Sequence, residues 1–91
     1  MAILNSAQIH TYLQELSGWT FKENAIEKEW TFKDFKEALL FINKIGEIAE
    51  KHNHHPELFN VYSNVKLRFN THDEGGVTEK DIHIAREINS I

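Results

Sequence analysis

The chain has 91 residues, no cysteine and a net charge of -4 at pH 7. That length makes one small domain, residues 1–91, which buries about 60–70% of the surface its unfolded chain exposes. The lack of cysteine excludes disulfides and thiolate zinc sites. The acidic balance argues against a nucleic-acid backbone as main partner, because that binding draws on surplus Lys and Arg.

The first residues, Met1 to Gln8, show no basic segment followed by a long apolar run, so no secretion signal is expected. No stretch reaches the roughly 20 apolar residues that cross a bilayer. A soluble cytoplasmic domain is expected. Asn5-Ser6-Ala7-Gln8 reads as a helix start, with Asn5 or Ser6 as cap and Gln8 reaching back. Ile9, Leu13 and Leu16 form its apolar stripe, Gly18 stands where a glycine ends a helix, and His10 falls off the stripe, on the surface.

From Trp19 to Phe32 the period changes to two. Trp19 and Phe21, then Ile26, Trp30 and Phe32, alternate with polar residues around the turn Glu23-Asn24-Ala25, which predicts a hairpin of half-buried strands. Asp34-Phe35-Lys36-Glu37 starts a second helix that runs to about Lys51. Its apolar residues cover roughly half the circumference, wider than the ~100° stripe of an ordinary surface helix. Phe35, Leu39, Ile42 and Ala49 suit the domain's own core; Phe41 and Ile48 lie at the far side of the stripe, with Leu40 beyond it. Such a helix is either deeply embedded or also packs against its copy in an oligomer.

The chain then reaches Glu50-Lys51-His52-Asn53-His54-His55-Pro56, with the only proline of the sequence. A residue before proline is driven from helical geometry, so the helix must stop at about His54. Leu58–Tyr62 and Val65–Thr71 read as strands joined by Ser63-Asn64. With a two-residue loop, Leu58, Tyr62, Val65, Leu67 and Phe69 share one face, and Phe59, Val61, Lys66, Arg68 and His72 the other. His72 precedes the turn Asp73-Glu74-Gly75-Gly76, and Thr78-Glu79-Lys80-Asp81 starts a last helix with Ile82, Ala85, Ile88 and Ile91 as its apolar face. The order is α-β-β-α-β-β-α. It predicts an α+β fold, a four-stranded antiparallel sheet with three helices on one face.

Three histidines at a helix-to-strand corner and a strand end suggest proton transfer or a metal, since imidazole exchanges protons near neutral pH. Metal binding is the weaker reading. A zinc site wants three or four converging ligands, whereas the side chains of His54 and His55, being adjacent, diverge. His52 suits the helix dipole in the last helical turn, Asp81 suits the capping box after Thr78, and His83 suits the polar side of the last helix. His54, His55 and His72 look instead like the rim of a pocket.

Glu50-x-x-x-His54-His55-Pro56, then Tyr62, His72 and Asp81, with five, nine and eight residues between successive members from Pro56 on, resembles the signature of the pterin-4a-carbinolamine dehydratase family. The likeness extends to Phe32-Lys33-Asp34-Phe35, Ala49-Glu50-Lys51-His52, Asn60-Val61-Tyr62 and Thr71-His72-Asp73, and so runs from about Trp19 onward. It implies dehydration of 4a-hydroxytetrahydropterin to quinonoid dihydropterin, which recycles the cofactor of aromatic amino acid hydroxylases. No metal, nucleotide or redox cofactor is implied, since pterin is the substrate. The family pattern makes His54 and His72 the acid/base pair, has His55 orient the pterin, and has Asp81 support an imidazole or hold the pocket. Glu50 would contribute from the helix end, while Pro56, Glu57 and Thr71 would line the site. Leu58 stands where better-known relatives carry tryptophan, which removes an aromatic wall. Asn53 stands where some relatives carry an acid.

Two other functions remain open on these residues. Animal members of the family double as a dimerisation cofactor for a homeobox transcription factor, through the helix that assembles the enzyme, so an interaction module is one alternative. A pterin-binding accessory protein with little turnover is the other. A homodimer or homotetramer, built through the second helix or a sheet edge, is expected, with no nucleic-acid or membrane partner.

Overall fold

The computed structural model describes residues 2–91: α1 (Ser6–Leu13), β1 (Thr20–Lys22), β2 (Ala25–Thr31), α2 (Phe35–His52), β3 (Glu57–Val61), β4 (Asn64–Phe69), a 3-10 turn (His72–Glu74) and α3 (Glu79–Asn89). The strands make one antiparallel sheet in the order β1-β2-β4-β3. The three helices cover one face of it, as the element order predicts.

Local sequence sets each helix start. Asn5 and Gln8 exchange the two bonds of a capping box, as do Thr78 and Asp81, and the Asp34 carboxylate accepts from the Glu37 N–H. α1 stops at Leu13, short of Gly18. The chain turns there so that Leu16 enters the core. Gly18 is needed for another reason: its φ is +85°, and a Cβ at that position would lie 2.7 Å from Cε of Lys28.

Both hairpins close with two residues. Glu23 and Asn24 have φ of 49° and 64°, the pair of left-handed residues whose twist matches the strands, so Ala25 joins β2 instead of the turn. The second turn is Tyr62-Ser63, with Tyr62 at φ 51° and Val61 opposite Asn64, not the expected Ser63-Asn64. The pairing slides by a whole side-chain period, which preserves the expected faces. Leu58 opposes Leu67 toward the helices, and Phe59 opposes Lys66 on the open face. Tyr62 leaves the strand for the turn. His72 leaves the open face, because β4 ends at Phe69 and the chain winds into the 3-10 turn.

Val65, Leu67 and Phe69 of β4 and Ile26 of β2 form the floor of the core, roofed by Ile9, Ala38, Ile45, Ile82, Ala85 and Ile88. Burying each large apolar side chain is worth about 1.5–3 kcal/mol. Of the four α2 residues expected in the core, Ala49 is buried and Ile42 packs half-buried against it, but Phe35 and Leu39 face out, and Phe41 and Ile48 from the far side of the stripe face in. Ala38, Ile45, Ile48 and Ala49 are buried, and Phe41 packs on Trp30 and Phe32 at 4.7 and 5.0 Å. Phe35 and Leu39 are 43% and 42% exposed. Phe41 turns inward to pack against Trp30 of β2 and Phe32 just after it, and the small Ala38 and Ala49 are buried on the same side. On α3, Ile84 is buried as well, while Ile91 lies beyond the helix end and is exposed.

Candidate active site

The site grows from the end of α2. Asn53 takes the left-handed conformation, φ 49° and ψ 45°, and the N–H groups of Asn53 and His54 both return to the carbonyl of Ala49. Asparagine is among the few residues that enter this region readily. The helix therefore ends before the restriction imposed by Pro56 takes effect. This reversal turns His54 inward, only 7% exposed, with its ring stacked on Phe69 at 5.7 Å. His55 faces outward, its Nε2 2.5 Å from Oε2 of Glu50.

Asp81 is fully buried and uses both carboxylate oxygens. Oδ1 accepts from Nε2 of His54. Oδ2 accepts from the Thr71 hydroxyl and the Thr78 N–H, each at 2.9 Å, and the two threonine hydroxyls bond each other at 2.7 Å. Asp81 thus completes the capping box of α3 and orients an imidazole with the same group. A buried carboxylate needs such donors, since an unpaired one is very costly to desolvate. Donation from Nε2 leaves Nδ1 of His54 as the nitrogen free to exchange a proton.

His54, His55, Thr71 and His72 line one shallow depression of about 260 Å³ together with Asn53, Asn70, Asp73 and Lys80. Asp81 lies behind its wall and Glu50 reaches it through His55. Pro56, Glu57 and Leu58 do not line it. The carboxylate of Glu57 lies 3.5 Å from Arg68, on the open face of the sheet, and Leu58 sits 39% exposed opposite Leu67. Asn53, Asn70, Asp73 and Lys80 were not singled out in the sequence as lining residues. Their flanking position beside Thr71, His72, His54 and Asp81 was the available signal.

Two larger grooves, of about 360 and 470 Å³, lie between β2, α2 and α3 and between α1 and β1. Neither gathers several imidazoles, so the titratable cluster marks the site better than volume does. Among the described residues, no three of His, Asp and Glu converge as a metal site would require. His10 and His83 are exposed. His52 has a carboxylate partner in Glu87, at 2.7 Å, beyond its place at the helix end.

The chain resembles known proteins over nearly its whole length. The chain is 42% identical over 88 residues to a protein of Thermomicrobium roseum provisionally named pterin-4-alpha-carbinolamine dehydratase, covering 97% of this chain and 95% of that one. It is 51% identical over 86 residues to a protein of the same provisional name from Prochlorococcus marinus subsp. pastoris, covering 90% of each. A crystal structure from Brucella melitensis, described as a transcriptional coactivator/pterin dehydratase, superposes with a TM-score of 0.92 at 40% identity, over 97% of this chain and 96% of that one. The model of the pterin 4 alpha carbinolamine dehydratase family matches residues 2–91, and the chain belongs to that family.

Proposed function

We propose that the domain dehydrates 4a-hydroxytetrahydropterin to quinonoid dihydropterin and water, in the cytoplasm, with its histidines moving the protons. One proton goes to the departing hydroxyl as the C4a–O bond breaks. Another leaves the adjacent ring N–H, whose electron pair forms the new C=N bond. Groups with pKa near the working pH contribute about 10²–10⁴-fold each to such steps. His54 is suited to one of them, with Nε2 committed to Asp81 and Nδ1 free. His72, which lines the same depression, is suited to the other. His55, braced by Glu50, would orient the pterin, and Thr71 would hold Asp81 in place while lining the site.

The observation that carries this reading is the convergence of His54, His55 and His72 on one depression with a buried carboxylate behind His54. About 260 Å³ lies just under the ~300–1,000 Å³ of drug-sized sites, which suits a small fused ring left open on one side. Stopped-flow absorbance of 4a-hydroxytetrahydropterin breakdown tests it. The protein should accelerate the decay; a decay no faster than in buffer would refute the proposal, and binding without acceleration would favour an accessory role.

We further propose that the domain works as a homodimer or homotetramer. Phe35, Leu39 and Ile42 form an exposed or half-exposed apolar line along α2, and a Cβ on Gly46 of the same line would meet open space. β3 is an edge strand with unpaired backbone groups along one side. The α2 line also favours a second reading, a surface for another protein, and the Brucella relative is described as a coactivator as well as a dehydratase.

A further inference from the structure

A second histidine–carboxylate pair ties the same corner to α3, outside the depression. Oε1 of Glu87 accepts from Nε2 of His52 at 2.7 Å, and Oε2 accepts from Nζ of Lys51. Lys51 and His52 form the last turn of α2, and only Asn53 separates them from His54. We propose that Glu87 is a positioning residue for the dehydration: it clamps the last turn of α2 to α3, so that His54 keeps its place against Asp81 and Phe69. The inference rests on the reading of His54 as a proton-transfer group.

The physical case starts from the weakness of helix ends. Last turns open at low free-energy cost unless something holds them. Here the turn is followed by a single left-handed residue, so opening it would carry His54 along. Among the described residues, the imidazole is held from inside by the pair with Asp81 and the stack on Phe69. Glu87 supplies an outer hold on the same turn, from the same helix that carries Asp81. Its carboxyl is held below the usual range first by the hydrogen bond from Lys51 and then by that from His52.

The clamp is partly exposed, and such pairs are modest in strength, so its loss should lower kcat about two- to fivefold. The test compares the parent with Glu87→Gln, Glu87→Lys and the swap Lys51→Glu/Glu87→Lys. The expected result is a lower kcat in both single variants with KM within about twofold. The Nε2–H signal of the His54 imidazole in ¹⁵N NMR should shift, and the swap should recover kcat. An unchanged kcat in folded Glu87→Gln, a rise in KM alone, or a rate loss with the His54 signal unmoved would each overturn the proposal. A His54→Ala variant at the parental rate would instead refute the underlying role of His54.

Discussion

At the residue scale, Asp81 joins α3 to the end of α2, with donors on both of its oxygens. Removing one partner of a buried pair strands the other, which costs about 3–5 kcal/mol. Asp81→Ala should therefore lower the melting temperature by more than about 10 °C as well as impair activity, measured by thermal denaturation beside the rate assay. The capping role was legible in Thr78-x-x-Asp81, because it is a local spacing. The pairing with His54 was not, since it depends on how two helices meet, and only the family resemblance implied it.

At the element scale, the corner after α2 depends on Asn53, whose left-handed backbone aims His54 inward. Asn53→Ala should cost about 1–2 kcal/mol, because a Cβ without a local hydrogen-bonding group is strained there. Asn53→Gly should be nearly neutral. Chemical denaturation of both variants checks this. The sequence located this corner through Pro56, but the residue that ends the helix is Asn53, a conformation that no apolar pattern reports. Likewise the broad stripe of α2 was plain and Ala49 and Ile42 were read inward, but the inward turn of Phe41, which meets Trp30 of β2 and Phe32 just beyond it, was not. The outward half has its own test. Leu39→Asp, at an exposed position, should leave the fold intact and lower the mass seen by light scattering, whereas a parent that is monomeric at high concentration would contradict self-association.

At the scale of the whole molecule, the candidate site is a meeting of three chain segments: the end of α2, the turn after β4 and the start of α3. The order of elements and the sheet were readable because alternation and capping repeat along the chain. The membership of Asn70, Asp73 and Lys80 in the site was not, because it follows from where those segments converge. The contact of α2 with α3 also carries a pH dependence. Glu87 has its carboxyl below its ordinary value of 4.5, with Lys51 and His52 facing it from α2. The group therefore contributes stability that is complete above that value and is lost as pH falls through its lower folded value. Melting curves against pH should show the parent above Glu87→Gln at pH 6, the gap closing toward acid pH.

The central claim is that imidazoles lining one depression move the protons of dehydration. Stopped-flow decay of 4a-hydroxytetrahydropterin with His54→Ala and His72→Ala, each checked for fold, tests it most directly. Each variant should be slower than the parent by about 10²-fold or more. Two folded variants that both keep the parental rate would contradict it.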